Sequence, residues 1–231
     1  MTFAEKVISF YTGLDYAGPL PPGVSIMNPF AGNPNVMKTA RAFYEKFYSD
    51  NHTRHIILGI NPGRFGAGVT GIPFTDTKRL NEKCGIAFSD FTTHEPSSSF
   101  IYEMIDACGG VSEFYSRYFI SAICPLGFTK VNEQGKSVNY NYYDSPALLS
   151  MVYSFIIETL KKQLDFGIST GIAFCLGTGK NENFLRRLNA EYHFFEKIVA
   201  LEHPRFIMQY RVKSKQAYIS KYLKALGEVR Q

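Results

Sequence analysis

Residues 55–74 read HIILGINPGRFGAGVTGIPF, an apolar run that leads into a loop rich in glycine and proline. The run HIIL (residues 55–58) is typical of a strand that is buried on both faces, as in a parallel sheet. Glycines at the carboxyl end of such a strand let backbone amides approach a ligand closely. Ligands of open α/β sheets bind at this edge, so the stretch predicts a binding loop that leaves a central strand.

Other apolar runs alternate with helical patterns along the rest of the chain. The predicted strands are 54–59, 118–123, 172–176 and 197–201, and the predicted helices are 35–48, 146–164, 182–189 and 213–226. Alternation of strand and helix predicts an α/β fold with a parallel sheet that is covered by helices on both faces.

Two segments are expected to be peripheral to this pattern. Residues 3–11 have apolar positions at helical spacing, and the sequence GPLPPG (residues 18–23) ends that helix. Residues 1–23 are therefore predicted to be an appendage, a helix followed by a lead-in rich in proline and glycine. Residues 131–143 are polar and rich in Asn and Tyr, which predicts a surface loop.

Composition favours one domain, residues 1–231, because 231 residues with 45% hydrophobic content can build one core. The four cysteines occur singly, which excludes the ligand spacing of a zinc ribbon or an iron–sulfur cluster. They are expected to be reduced and buried. No metal site is predicted from them.

Charge and the amino terminus give weaker information about partners and location. The net charge of +5 mildly favours a polyanionic partner. The amino-terminal residues form neither a secretion signal nor a membrane span, so a cytoplasmic protein without membrane contact is expected.

Each predicted strand ends in a loop of unusual composition, namely the loop after residue 59 and the loops CPLG (124–127), GTGK (177–180) and EHPR (202–205). These loops are expected to meet at one crevice and to bring Asn61 close to His203. An amide can orient a water, and a histidine can stabilise charge on a leaving group. Taken singly, Asn61 before proline is better explained as a turn residue, and His203 is equally well explained as a strand end.

Three further features are compatible with nucleic-acid binding, although each also has an ordinary structural explanation. Phe74 could stack on a base or pack in the core. Four residues at the start of a helix could hold a phosphate or form a tight turn, namely Gly177, Thr178, Gly179 and Lys180. Apolar and cationic residues that follow His203 could open a base stack or begin an amphipathic helix, and these are Arg205, Phe206, Ile207 and Arg211.

Together, these motifs resemble the uracil-DNA glycosylase superfamily, and specifically its single-strand-selective monofunctional branch. That branch carries Gly-Met-Asn-Pro-Gly-Pro-Phe-Gly and then Thr-Gly-Val-Pro-Phe-Gly, which residues 59–74 match in register. Residues 119–126 match the family's strand that ends in Cys-Pro-Leu. Shorter matches are MNP (27–29), GTGK (177–180) and HP (203–204). The resemblance covers nearly the whole chain and indicates a divergent bacterial member.

The resemblance implies a three-layer α/β/α sandwich around a four-stranded parallel sheet. It also implies a monofunctional DNA glycosylase that flips uracil out of DNA and hydrolyses its N-glycosidic bond in base excision repair, without a cofactor. By matching position, Asn61 would place the attacking water and His203 would stabilise the uracil anion at O2. The first motif carries no carboxylate before Asp76, and an essential Asp76 would contradict the role given to Asn61.

The same resemblance assigns a base-binding site. Phe74 would stack on the base, and Gly59 and Ile60 would line its pocket. Gly63 stands where other uracil glycosylases carry a bulky tyrosine, so a substituent at C5 could be admitted. Ala122 replaces the asparagine that reads the uracil edge, which predicts relaxed discrimination among bases.

The loop after His203 departs from the family pattern as well, because RFIMQ (205–209) replaces Ser-Pro-Arg-Asn-Pro. Phe206 or Ile207 is expected to fill the vacated base stack, and Arg205 or Arg211 to contact phosphates. The expected partner is DNA with a damaged or deaminated base, bound by a monomer associated with the bacterial nucleoid.

Three alternatives to a uracil glycosylase remain open at this point. The enzyme could release deaminated purines such as xanthine or hypoxanthine. A protein of the same fold could bind damaged or single-stranded DNA without cleaving it, although the presence of Asn61 and His203 argues against this. An unrelated phosphate-binding enzyme that acts on small nucleotides would rest on residues 177–180 alone.

Overall fold

The computed structural model describes residues 1–88 and 92–227, and its strands form two sheets. The strands are β1 (Val24–Met27), β2 (Arg54–Gly59), β3 (Tyr118–Ala122), β4 (Gly127–Val131), β5 (Ser137–Tyr140), β6 (Ile168–Leu176) and β7 (Lys197–Leu201). The central sheet is parallel with the order β3-β2-β6-β7, and a smaller antiparallel sheet has the order β1-β4-β5.

Helices surround the central sheet. They are α1 (Phe3–Thr12), α2 (Pro34–Tyr48), α3 (Ala67–Thr70), α4 (Thr77–Glu82), α5 (Pro96–Ala107), α6 (Val111–Arg117), α7 (Pro146–Leu164), α8 (Lys180–Tyr192), α9 (Pro204–Tyr210) and α10 (Lys215–Gly227). A turn of 3₁₀-helix covers Val212–Ser214. The predicted α/β architecture is confirmed, with a four-stranded parallel sheet and helices around it.

The central strand β2 lies between two neighbours, which explains its apolar sequence. Ile57 pairs with Ile120 of β3 on one side and with Phe174 of β6 on the other. Ile56, Ile57 and Leu58 are all buried, as the sequence pattern predicts. The carboxyl ends of the four strands therefore share one edge of the sheet, where the loops with polar residues meet.

The prediction that residues 131–143 form a surface loop is wrong. This segment contains the end of β4, the hairpin turn at Gly135 (φ +73°) and the whole of β5. The side chain of Tyr142 is fully buried. The exposed part of the hairpin has polar residues on both faces, so it carries no hydrophobic alternation that would identify strands.

Helix α1 is part of the core, so the expectation that it is an appendage is wrong. Thr2 and Glu5 form a capping box at its start. The ring of Phe3 lies 5.4 Å from that of Tyr48 and 5.2 Å from that of Phe119, which belongs to β3. Residues 18–23 do end the helix region, but they return the chain to β1 of the smaller sheet.

An ion pair between a buried guanidinium and a partly exposed carboxylate lies at the start of β2. The guanidinium of Arg54 is inaccessible to solvent and donates to both carboxylate oxygens of Asp50, at 2.7 and 2.8 Å. It also stacks against the rings of Phe3 (4.8 Å) and Tyr48 (4.7 Å). The hydrogen bonds from Arg54 lower the pKa of Asp50 to about 2, against the opposing effect of burial.

All four cysteines are buried thiols, as expected from their scattered positions. Burial raises the pKa of Cys84 to about 11 and those of Cys124 and Cys175 to about 12. Within the described ranges, every helix is too short or too polar to span a bilayer.

Candidate active site

A cavity of about 140 Å³ opens at the carboxyl edge of the central sheet. Its walls come from the loops after β2 and β7, from the end of β3, from the start of α5 and from the end of the β4–β5 hairpin. The lining residues are Gly59, Ile60, Asn61, Pro62, Gly63, Ala67, Pro73, Phe74, Glu95, Ser97, Ser121, Ala122, Asn139, Asn141, His203 and Arg205. The structure thus brings together both predicted catalytic residues and all five predicted base-binding residues.

The side chain of Asn61 is oriented by the segment that follows β5. Its Nδ2 donates to the carbonyls of Tyr140 (3.3 Å) and Pro62 (3.4 Å), and its Oδ1 accepts from the backbone amide of Tyr142 (3.2 Å). These contacts use both donor protons of the amide and one lone pair of Oδ1. The second lone pair of Oδ1 is left to accept a hydrogen bond from a water.

His203 is the N-cap of α9, and this position determines its tautomer. The backbone amide of Arg205 donates to Nδ1 at 3.1 Å, so the neutral ring carries its proton on Nε2. Burial, and secondarily the charge of Arg205, lower the pKa of His203 to about 4. At neutral pH His203 is therefore an uncharged ring with an N–H donor.

Phe74 lies beside His203 with an unusual backbone conformation. Its φ is +53°, which for a non-glycine residue costs on the order of 1–3 kcal/mol. The Phe74 and His203 rings are 5.5 Å apart and inclined by 47°. A Cβ atom on Gly59 would come within 2.9 Å of the Phe74 ring, so glycine is required at the end of β2 for this placement.

The floor of the cavity presents few polar atoms. Ser121 donates its hydroxyl to Gln163 Oε1, and Gln163 Nε2 donates to the carbonyl of Ala122 at 3.3 Å. These groups are satisfied within the protein, and the side chain of Ala122 contributes only a methyl group. The floor can therefore distinguish bases by their shape but provides few hydrogen bonds with which to distinguish them.

Sequence reasoning missed two polar side chains beside Gly63. Glu95 is the N-cap residue of α5, and Asn139 belongs to β5. The backbone amide of Arg64 donates to Asn139 Oδ1 (3.1 Å), and Asn139 Nδ2 lies 3.6 Å from the Cβ position of Gly63. No motif in the sequence connects either residue to Asn61 or His203, so the sequence alone gives no sign that they line the same cavity.

Asp76 lies outside the cavity and has a structural role. Its carboxylate accepts from the backbone amides of Arg79 (2.8 Å) and Glu95 (2.7 Å) and from the Arg79 guanidinium (3.1 Å). It is completely buried. Among the described residues, no group of three or more His, Cys, Asp and Glu side chains is arranged to hold a metal ion.

The predicted phosphate loop, Gly177, Thr178, Gly179 and Lys180, lies next to the cavity but does not line it. Gly177 and Gly179 have φ values of +115° and +118°, which favour glycine. Thr178 and Lys180 are exposed at the start of α8. This arrangement leaves the first backbone amides of the helix accessible to an anion.

A chain of hydrogen bonds connects this loop to Asn61. Asn181 Nδ2 donates to the carbonyl of Leu176 (3.0 Å), and Asn181 Oδ1 accepts from the Tyr142 hydroxyl (2.8 Å). The backbone amide of Tyr142 in turn holds Asn61. Sequence reasoning missed both Tyr142 and Asn181.

The two wedge candidates on α9 differ in exposure. Ile207 is completely buried, so the expectation that it could fill a base stack is wrong. Phe206 is 39% exposed and lies 5.6 Å from the exposed ring of Tyr210. Arg205 and Arg211 are exposed, and Arg211 lies 5.7 Å from the Phe206 ring.

Comparisons with known proteins identify the family and agree with the fold. A family model described as the uracil DNA glycosylase superfamily matches residues 45–227. The chain is 59% identical to that in the crystal structure of wild-type Pedobacter heparinus SMUG2, with a TM-score of 0.97, covering 100% of this chain and 99% of that chain. A search of curated proteins found no match. The chain belongs to the uracil DNA glycosylase superfamily and is a DNA glycosylase.

Proposed function

We propose that this enzyme hydrolyses the N-glycosidic bond of uracil in DNA, the first chemical step of base excision repair. The observation that carries the proposal is that Asn61 and His203, which lie 142 positions apart along the chain, line one cavity. No lysine is among the described residues that line it. We infer that water oriented by Asn61 is the nucleophile, which corresponds to monofunctional chemistry.

The reaction follows from the orientation of these two residues. A water that donates to Asn61 Oδ1 attacks C1′ of the sugar and gives up a proton, and the C1′–N1 bond breaks with its electron pair going to the base. The N–H at Nε2 of His203 donates to O2 of the departing uracil anion. A preorganised donor of this kind is worth roughly 10²–10³ in rate. Because the ring is neutral, it supplies a hydrogen bond and keeps its proton.

Binding of the base rests on the walls of the cavity. Phe74 stacks on the flipped base, with Gly59 and Ile60 beside it. Gly63 leaves room at C5, so uracil with a C5 substituent is within the proposed substrate range. We propose that the base occupies this cavity after it has flipped out of the DNA.

Contacts with the DNA backbone rest on the surfaces around the cavity. Residues 177–180 bind a phosphate through backbone amides and Lys180. Phe206 fills the vacated stack, while Arg205 and Arg211 contact phosphates. We infer that the enzyme acts as a single-domain monomer in the bacterial cytoplasm, at the nucleoid.

A second candidate substrate class is deaminated purines, and the floor of the cavity favours it. Ala122 cannot form the two hydrogen bonds with which an asparagine amide would select the pyrimidine edge. Hypoxanthine and xanthine therefore belong in the substrate panel together with uracil.

The test is base release from an oligonucleotide with one deoxyuridine, in single- and double-stranded form, detected as strand cleavage after alkali. Asn61→Ala and His203→Ala are each expected to lower the rate at least about 100-fold. Asn183→Ala and His52→Ala are matched controls at exposed positions away from the cavity and should retain the wild-type rate. Wild-type release of hypoxanthine or xanthine but not of uracil would favour the second candidate, and full activity of either cavity variant would contradict the proposed site.

A further inference from the structure

We propose that Glu95 is a further catalytic residue, whose carboxylate accepts a proton from the water that Asn61 orients. This inference rests on the proposed hydrolytic function of the cavity. It adds a proton acceptor to a site in which Asn61 and neutral His203 provide orientation and a hydrogen bond.

Glu95 is positioned at the same wall of the cavity as the Asn61 loop. It is the one acidic side chain among the described residues that line the cavity. Its Oε1 lies 3.7 Å from the Cβ position of Gly63, two residues after Asn61, and a Cβ on Gly66 would overlap its carboxylate. The glycines at 63 and 66 therefore make room for this carboxylate against the loop.

The backbone of Glu95 is held firmly, whereas its carboxylate is available. The amide of Glu95 donates to Asp76 (2.7 Å), which is itself buried and paired with Arg79. The carboxylate has no hydrogen-bond partner within residues 1–88 and 92–227. A partly buried carboxylate without a hydrogen-bond partner destabilises the folded state. Such a group is typical of a site that binds a ligand.

The hydrogen-bonding capacity of Asn61 explains why a second acceptor is needed. One lone pair of Asn61 Oδ1 accepts one proton of the water. The other water proton points to Glu95, and an oxygen lone pair is then free to attack C1′. As the C–O bond forms and the C1′–N1 bond breaks, the proton moves to the Glu95 carboxylate, and the electron pair of the broken bond leaves with the base.

The charged surroundings of Glu95 suit this role. Burial raises its pKa, the negative charge of Asp76 raises it further, and the positive charge of Arg205 on α9 partly opposes both. His203, which caps the start of α9 beside Arg205, is neutral at pH 7. A carboxylate whose pKa is raised in this way is a stronger proton acceptor than an exposed one.

The experiment measures single-turnover base release from pH 4.5 to 9 for the wild type, Glu95→Gln, Glu95→Asp and the control Glu82→Gln, which removes an exposed carboxylate from α4. We expect Glu95→Gln to lower the rate roughly 100-fold or more and to abolish the fall in rate at acidic pH. Glu95→Asp should retain that fall with an intermediate rate, and Glu82→Gln should behave as the wild type. DNA affinity should change less than about threefold in all variants, since proton transfer does not contribute to binding.

Wild-type rates and an unchanged pH profile in Glu95→Gln would overturn the inference. The inference would also be overturned if Glu95→Gln weakened only DNA affinity and kept the fall in rate at acidic pH, because that result assigns Glu95 to binding. Thermal unfolding separates both results from misfolding, and the Tm of Glu95→Gln should not fall, because the replaced carboxylate has no structural partner. The assay uses whichever base of the uracil, hypoxanthine and xanthine panel the wild type releases. An enzyme that releases none of them contradicts the proposed function and, with it, the role of Glu95.

Discussion

At the scale of single residues, the glycine at position 59 determines where an aromatic ring can lie. Gly59 ends β2 beneath Phe74, and its missing side chain leaves the space that the ring occupies. Phe74 has a positive φ, which is unfavourable for a residue with a side chain. Its position therefore depends on close packing against Gly59 and His203.

We predict that Gly59→Ala impairs activity much more than stability. A Cβ at 2.9 Å from the ring forces Phe74 out of the position in which we propose that it stacks on the base. The loss of a stacked base corresponds to about 1–3 kcal/mol, or roughly 5- to 150-fold in kcat/KM. Steady-state kinetics on deoxyuridine DNA measures this effect. Gly171→Ala, whose Cβ would meet its nearest neighbour at 3.8 Å, is the matched control, and equal losses in both variants would contradict the account.

From the sequence, a residue could be placed in the cavity where a continuous motif or the end of a predicted strand carries it, as for Asn61 and His203, but not where neither does, as for Glu95. Asn61, Gly63 and Phe74 lie in one contiguous stretch, and the strand ends bring His203 to it. Glu95 precedes a short apolar helix pattern and has no sequence relationship to that stretch. Its proximity to Gly63 depends on the packing of α5, which local pattern does not encode.

At the scale of elements, α9 shows how helical register separates neighbouring apolar residues. The sequence RFIMQ offers Phe206 and Ile207 as equal wedge candidates. In the helix, successive side chains point about 100° apart, so Ile207 enters the core while Phe206 faces outward.

We predict that Phe206→Ala lowers activity on duplex DNA roughly tenfold more than on single strands. Only the duplex has a base stack to open and refill, at a cost of a few kcal/mol. Parallel assays on the two substrate forms give the ratio. Met151→Ala removes an exposed apolar side chain from α7 and should leave the ratio unchanged. A Phe206→Ala variant that loses activity equally on both forms would exclude the wedge role.

The two elements misjudged from sequence were misjudged for different reasons. Proline and glycine at residues 18–23 correctly marked the end of a helical region, but a break in the chain does not determine whether the preceding helix packs on the core. The β4–β5 hairpin lacks apolar alternation because much of it faces solvent. In both cases tertiary contacts decide the structure, through Phe3 for the helix and through Tyr142 after the hairpin.

At the scale of the whole molecule, the buried Arg54 connects folding to pH. Its only carboxylate partner among the described residues is Asp50, whose pKa is lowered from 3.8 to about 2. A lowered pKa means that the folded state favours the charged carboxylate. The stability that this pair contributes is therefore complete above about pH 4 and is lost as the pH falls toward 2.

We predict that Asp50→Asn reduces the free energy of unfolding by about 2 kcal/mol at pH 7, because it leaves a buried guanidinium without its counter-charge. The difference from the wild type should shrink between pH 4 and pH 2, where the wild-type carboxylate becomes protonated. Urea unfolding across this pH range measures it, and we expect one cooperative transition. A difference that persists undiminished at pH 2 would contradict the assigned linkage.

The burial of the four thiols has a consequence for chemical reactivity. Cys84, Cys124 and Cys175, with pKa values of about 11 or 12, carry almost no thiolate at neutral pH. Electrophiles and peroxide attack the thiolate, so the native protein resists alkylation and oxidation at these positions. A thiol placed by Phe206→Cys would be exposed, and a fluorophore coupled there would report by an optical signal whether α9 contacts DNA.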